Sequence, residues 1–159
     1  MNEDIEFIKR YQSAGALFDA NLLLVYVVGK CGRDRLMRHH TTKQYAADFP
    51  LIEALIESFA RIYTTPNVLT EVSNLGGQKG GVEFFEQLKR IIHVLDERYC
   101  TSKDATLNTQ FRRLGLTDGS LLHLSPAFLI VTADFELHSV LRASNFDAVN
   151  FNHLRPYTW

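Results

Sequence analysis

The sequence predicts an α/β domain in which a mainly parallel central sheet is covered by helices on both faces. Short apolar runs bounded by turn residues alternate with segments whose apolar residues repeat at helical spacing. Such alternation is typical of parallel sheets, whose strands are buried on both faces and contain continuous apolar runs. The 159 residues match one ordinary domain, so we predict a single domain over residues 1–159.

The pattern places the elements as follows. Strands are predicted at residues 15–18, 62–63, 94–95, 127–131 and 148–149. Helices are predicted at residues 22–28, 51–59, 66–75, 82–92, 107–114, 118–124 and 135–141. Gly29 is expected to end the first helix, and residues 76–81, which hold four glycines, to form a loop between two helices. For residues 31–48 both a helix and an ordered loop stay open.

Composition restricts the function classes without selecting one. The 17 basic and 18 acidic residues give a net charge of -1, which argues against a protein that only coats nucleic acid. Cys31 and Cys100 do not form a metal or disulfide motif, and two unlinked thiols fit a reducing compartment. The N-terminus lacks the pattern of a secretory signal, and the longest apolar stretch, residues 22–28, is too short for a membrane span. We therefore expect a cytoplasmic protein without membrane contact.

Two aspartates follow predicted strands and precede predicted helices. Asp19 comes after the first strand and Asp134 after the fourth, where ligands bind in parallel sheets. Each one alone is equally typical of a helix cap. Asp118 at a helix start and Glu71 inside a helix add two further acidic residues. Four carboxylates at one edge would repel each other, and a hard divalent cation such as Mg²⁺ or Mn²⁺ would relieve that repulsion.

The order of these motifs resembles the PIN domain over nearly the whole chain. The matching stretches are Phe18-Asp19-Ala20-Asn21, Thr70-Glu71, Leu116-Thr117-Asp118 and Val131-Thr132-Ala133-Asp134. The resemblance implies a three-layer α/β/α sandwich and a ribonuclease that depends on Mg²⁺ or Mn²⁺. It implies that Asp19, Glu71, Asp118 and Asp134 are catalytic and metal-binding, and that Asn21 and Thr132 support them. Gly119, an awkward residue inside a helix, departs from the expected pattern.

The hypothesis carries further expectations about partners. RNA would be bound by basic residues on the rim of the site, for which the candidates are Arg33, Arg35, Arg38, Lys43, Arg112 and Arg113. Replacing Asp19 or Asp134 by alanine is expected to abolish cleavage and leave the fold intact. The six histidines form no metal-ligand motif, although His138 lies one turn after Asp134.

Two alternatives stay open at this point. One is a non-catalytic PIN-like module that binds RNA or protein, or a toxin paired with an antitoxin. Its protein partner, or the second copy in a homodimer, would contact residues 22–28 or the tail Tyr157, Thr158 and Trp159. For residues 22–28, packing in the core is the favoured interpretation. The other alternative is a phosphatase or receiver-like domain with Asp19 as nucleophile, which the missing lysine after the late strand disfavours.

Overall fold

A computed structural model describes residues 2–155 of the chain. Within these residues there are eight α-helices and five β-strands. The strands are β1 (Ala16–Phe18), β2 (Ile62–Thr64), β3 (Asp96–Glu97), β4 (Leu129–Thr132) and β5 (Ala148–Asn150). The helices are α1 (Glu3–Tyr11), α2 (Ala20–Cys31), α3 (Arg33–Arg38), α4 (Phe49–Glu57), α5 (Pro66–Ile92), α6 (Ser102–Ala105), α7 (Phe111–Leu124) and α8 (Phe135–Ala143). The tail proposed as a partner surface lies outside the described residues.

The five strands form one sheet in the order β3-β2-β1-β4-β5, and all four neighbouring pairs are parallel. Helices flank this sheet, which confirms the predicted α/β class with three layers. The mainly parallel sheet expected from the sequence is entirely parallel. Each crossover contains at least one helix, as parallel pairing requires.

The core is built from the apolar runs that predicted the strands and from the inner sides of the helices. The apolar residues of β1 and β4 are fully buried, and α2 contributes Leu22, Leu23, Leu24 and Val25. The stretch at residues 22–28 therefore packs into the core, apart from the half-buried Tyr26, and is not a free partner surface. No helix between residues 2 and 155 has the length and apolar character needed to cross a membrane.

Several predicted boundaries differ from the structure. α2 continues through Gly29 to Cys31, and α1 was not predicted because its start was interpreted only as an acidic, polar N-terminus. Residues 31–48 contain α3 and a 3-10 segment, Lys43–Asp48. The strands predicted at residues 94–95 and 127–131 lie slightly later, at β3 and β4. α7 begins at Phe111 rather than Leu107 and bends at Gly115, where a helix end was predicted.

The prediction of a loop at residues 76–81 is wrong. α5 runs through this stretch and departs from helical geometry only at Gly81, whose φ is 59°. α5 is kinked at Gly81, and the ring of Phe84, beyond the kink, lies directly over Gly76. A Cβ atom on Gly76 would lie 2.0 Å from Cζ of Phe84, so glycine is needed here for close packing.

This packing makes Gly76→Ala a test of the helix. We expect the variant to lose about 1–3 kcal/mol of unfolding free energy, because the added methyl group overlaps a buried ring. Urea denaturation would measure the loss. Gln78→Ala is the matched control at an exposed position of the same helix, and its effect should stay within about 0.5 kcal/mol. A gain in stability for Gly76→Ala, the usual result in a flexible loop, would contradict the packing.

Candidate active site

The candidate site lies where the sheet reverses its strand order. β1 and β4 are neighbours there, with Phe18 paired to Val131, although a long part of the chain separates them. The backbone N–H of Asp19 donates to the carbonyl of Val131 over 3.0 Å. Asp19 and Asp134 thus follow two adjacent parallel strands at their carboxyl ends. Ligands of open α/β sheets bind at this kind of switch point.

Asp19 is buried and held by three hydrogen bonds. Its Oδ1 accepts from the N–H of Leu22 at 2.9 Å, and its Oδ2 accepts from the Thr132 hydroxyl and from the N–H of Ala133 at 2.8 Å. Burial raises the pKa of the Asp19 carboxyl above its usual value, and the charge of Asp134 adds to the rise. The three hydrogen bonds act in the opposite direction and favour the charged carboxylate.

Thr132 connects the two aspartates. Its hydroxyl donates to Asp19 and accepts from the N–H of Asp134 over 2.9 Å. Asp134 in turn caps α8, since its Oδ1 accepts from Glu136 N at 2.7 Å and Leu137 N at 3.0 Å. The supporting role assigned to Thr132 by the sequence thus has a geometric basis. Both aspartates are helix caps as well as candidate ligands.

Asp118 faces the other acidic residues without a partner of its own. Among residues 2–155, no other residue forms a hydrogen bond or ion pair with its carboxylate. Burial raises the pKa of Asp118 to about 7, and the negative charges of Asp19, Asp134, Glu71 and Glu136 contribute to that rise in this order. The structure therefore brings all four predicted acidic residues into one electrostatic neighbourhood, which we call the acidic cluster (Asp19, Glu71, Asp118 and Asp134).

Gly119 allows this placement of Asp118. A Cβ atom on Gly119 would lie 2.6 Å from the carbonyl oxygen of Ala105, at the end of α6. Only glycine lets α6 pack this closely against α7 beside Asp118. The residue that departed from the expected pattern thus serves the packing behind the site.

Glu71 lies on α5 beside an open groove. No hydrogen bond or ion pair in the described part of the chain involves its carboxylate. The groove has a volume of about 430 Å³ and runs between α5 and the bend in α7. It is lined by Pro66, Asn67, Thr70, Glu71, Asn74, Leu75, Leu116 and Thr117. The neutral polar groups among them are suited to hydrogen bonds with a phosphate or a sugar.

The other predicted site residues are more scattered. Asn21 is exposed in the first turn of α2, and its side chain forms no hydrogen bond within residues 2–155. Arg113 pairs with Glu136, Nε to Oε1 at 2.7 Å, and so lies beside the acidic cluster, while the adjacent Arg112 is exposed.

The remaining basic candidates lie on or beside α3. Arg35 and Arg38 pair with Glu83 and Asp34 and line a separate cavity of about 260 Å³ that contains none of the four acidic residues. Arg33 and Lys43 are exposed. The six basic candidates therefore do not form one continuous rim.

Two residues near the cluster were missed by the sequence analysis. Tyr45, in the 3-10 segment, has a pKa raised by burial and by the charges of Asp19 and Asp134. No sequence pattern marks this electrostatic interaction. Glu136 lies two residues after Asp134 in the first turn of α8 and joins the cluster electrostatically. A glutamate in the first turn of a helix is a recognisable sequence feature, but many surface glutamates share it, so it does not indicate a site.

The donor set fits a hard divalent cation. All four side chains offer carboxylate oxygens, and those of Asp118 and Glu71 have no competing partner in the described residues. The carboxylate oxygens of these four residues are not tightly grouped. Between residues 2 and 155, only one set of three side chains brings potential metal-ligand atoms within 4.8 Å of one another, and it contains none of the four. Mg²⁺ typically binds to one or two carboxylates and keeps several waters, so a wider acidic cluster suits it.

Comparisons of this chain with protein-family models, with curated proteins and with solved structures give no match. The likeness to the PIN domain therefore rests on the motifs of the sequence. The geometry of the acidic cluster stands independently of it.

The raised pKa of Asp118 predicts a pH-dependent loss of stability. Its pKa is about 7 in the folded chain against an ordinary value of 3.8, so between these pH values the folded state binds a proton that the unfolded state has released. Stability from this group is therefore lost as the pH rises from 3.8 to about 7. In Asp118→Asn the penalty is absent, and with a chelator at pH 8 we expect a melting temperature higher by at least about 2–4 °C.

The difference between Asp118→Asn and the unmodified chain should shrink to nothing near the ordinary carboxyl pKa of about 4, as measured by thermal unfolding across the pH range. Asp96→Asn is the matched control, because Asp96 is also a half-buried aspartate but lies on β3, at the edge of the sheet. Equal pH profiles for Asp118→Asn and the unmodified chain would show that Asp118 carries no electrostatic strain.

Proposed function

We propose that this protein is a metal-dependent ribonuclease of the PIN-domain type, which hydrolyses RNA phosphodiester bonds at the acidic cluster with Mg²⁺ or Mn²⁺. One observation carries the proposal: four carboxylates from separate parts of the chain lie in one electrostatic neighbourhood around the switch point of a parallel sheet. Two of them have no partner within residues 2–155. The choice of RNA as the substrate rests on the resemblance of the sequence motifs.

The residues of the acidic cluster have different proposed roles. Asp19 is fixed by three hydrogen bonds, which leave one acceptor lone pair, on Oδ1, for a cation. Asp118 and Glu71 supply carboxylate oxygens that no other described residue engages, and Asp134 supplies the oxygen that does not cap α8. When bound, Mg²⁺ or Mn²⁺ would lower the pKa of a coordinated water and neutralise charge on the phosphate.

The groove beside Glu71 is the proposed path of the substrate. Asn67, Thr70 and Asn74 line it and can hydrogen-bond to phosphate or sugar groups without adding negative charge. Arg112 and Arg113 lie on α7, the helix that also carries Asp118. We propose that Arg112 neutralises a phosphate of the bound RNA, since Arg113 is already paired with Glu136.

The alternatives make different demands. A non-catalytic PIN-like module, bound to RNA, to an antitoxin or to a second copy, would need no cation and would show no cleavage. A phosphatase or receiver-like reaction would need Asp19 as nucleophile. Asp19 is only 4% exposed and both its oxygens accept hydrogen bonds, so attack by this carboxylate on a phosphorus atom is disfavoured.

The structure changes the choice of the inactivating variant. Replacing Asp19 by alanine removes the cap of α2 and leaves the N–H of Ala133 without its acceptor, at a cost of about 1–3 kcal/mol. Replacing Asp134 removes the cap of α8. We therefore do not expect either variant to leave the fold unperturbed. Asp118 is the better choice, because its carboxylate forms no hydrogen bond among the described residues.

Asp118→Asn is expected to lower the rate of RNA cleavage at least about 100-fold, because one charged group at the reaction centre is lost. The assay follows a fluorescently labelled RNA with Mg²⁺ or Mn²⁺ in excess. Asp96→Asn should cut like the unmodified chain, and a chelator should stop both. If Asp118→Asn cleaves at the unmodified rate, the assignment of the acidic cluster as the active site is wrong.

Arg112→Glu is expected to weaken RNA binding about tenfold at low salt and to lower the slope of log affinity against log salt by about one. The measurement uses fluorescence anisotropy in the Asp118→Asn background, so that the RNA stays intact. Arg90→Glu, the same charge reversal at an exposed position of α5, serves as control. Equal affinities for Arg112→Glu and Arg90→Glu would remove Arg112 from the proposed RNA path.

A further inference from the structure

A second group of potential metal ligands lies outside the acidic cluster. It consists of Asp4 on α1, His138 on α8 and His153 in the 3-10 turn after β5. One ligand atom from each of these side chains lies within 4.8 Å of the other two. No short sequence motif contains them, since the fold alone brings the two ends of the chain together. We call them the Asp-His-His cluster.

Two of its members already contact each other. Nδ1 of His153 lies 2.7 Å from Oδ2 of Asp4. Asp4 is buried, whereas His153 is exposed and leaves the cluster open to solvent. By itself this contact is an ordinary histidine–carboxylate pair and needs no ion.

His138 is the member that such a pair does not explain. Its Nε2 is buried and has no hydrogen-bond partner in the described part of the chain. The ring packs edge-on against the ring of His153, with centroids 5.3 Å apart. Buried polar atoms are nearly always satisfied, so an unpartnered nitrogen on a ring that lies beside a carboxylate and a second imidazole calls for a ligand.

We propose that Asp4, His138 and His153 bind one divalent transition-metal ion, Zn²⁺ in the first instance. Two imidazole nitrogens and one carboxylate oxygen are a ligand set that Zn²⁺ accepts, with a water in the fourth position on the exposed side of His153. Mg²⁺ prefers oxygen ligands, so the two clusters would select different ions.

A bound ion would join three elements that are otherwise held mainly by side-chain packing and ion pairs. α1 contacts β5 and is connected to the rest by Arg142–Glu3 and Arg10–Asp147 pairs. The ion would add a link from α1 to α8 and to the turn after β5. The inference does not depend on the ribonuclease proposal, because the acidic cluster shares no residue with the Asp-His-His cluster.

The experiment titrates the metal-free full chain with Zn²⁺ in competition with a coloured chelator, and with Co²⁺ followed by visible absorption. We expect one Zn²⁺ per chain and a Co²⁺ spectrum of low coordination number. His153→Ala should bind Zn²⁺ at least about tenfold more weakly. Because His153 is exposed, this variant should fold, and circular dichroism would verify the fold.

Two controls separate this site from others. His93→Ala removes an exposed histidine on another helix end and should leave Zn²⁺ affinity unchanged, as should Asp118→Asn, which alters only the acidic cluster. Zn²⁺ should also raise the melting temperature of the unmodified chain and of both controls more than that of His153→Ala. If His153→Ala binds Zn²⁺ as tightly as the unmodified chain, or if the unmodified chain binds none, the Asp-His-His cluster is only a histidine–carboxylate pair and the proposal fails.

Discussion

The carboxylate of Asp19 is the point on which the organisation of the site depends. It accepts hydrogen bonds from the first turn of α2 and from the end of β4, and so ties together the two strands at which the sheet reverses its order. A buried carboxylate of this kind is tolerated only because its hydrogen bonds are made. The same bonds fix Thr132 and, through it, the start of α8. The hydrogen bonds that cap the helices therefore also set the geometry of the candidate site.

The remaining carboxylates add repulsion that the chain itself does not relieve. Asp118 lies among like charges, and burial together with those charges raises its pKa. A protein selected only for stability would gain by replacing such a residue with a neutral one. Retaining an unpaired, half-buried aspartate beside three other acidic residues is typical of a functional site, where strain is relieved by a bound ion. The stability and the proposed chemistry are thus opposed at this position.

α8 links the two candidate metal sites. Its first residue follows the cap Asp134 of the acidic cluster, and one turn later His138 points to Asp4 and His153. The two clusters differ in their donors: one offers oxygens alone, and the other offers two imidazoles and one carboxylate. Since donor type decides which cation is bound, one helix can hold residues for a hard ion at its N-terminus and for a softer ion one turn further along.

The sequence by itself determined the α/β class, the positions of β1, β2, β4 and β5 to within a few residues, and the aspartates that follow β1 and β4. These features follow from local patterns: apolar runs, caps and breakers act within a few residues. The prediction failed at residues 76–81, where the glycines were interpreted as a loop. Gly76 is instead needed because the ring of Phe84, beyond the kink in α5, packs against it. Only the tertiary structure decided that Asp118 and Glu71 lie in the electrostatic neighbourhood of Asp19. It also decided that Arg35 and Arg38 line another cavity. The proximity of His138 to Asp4 likewise depends on the fold. Contacts between distant segments depend on how the helices pack across the sheet, and no spacing within the chain encodes that packing.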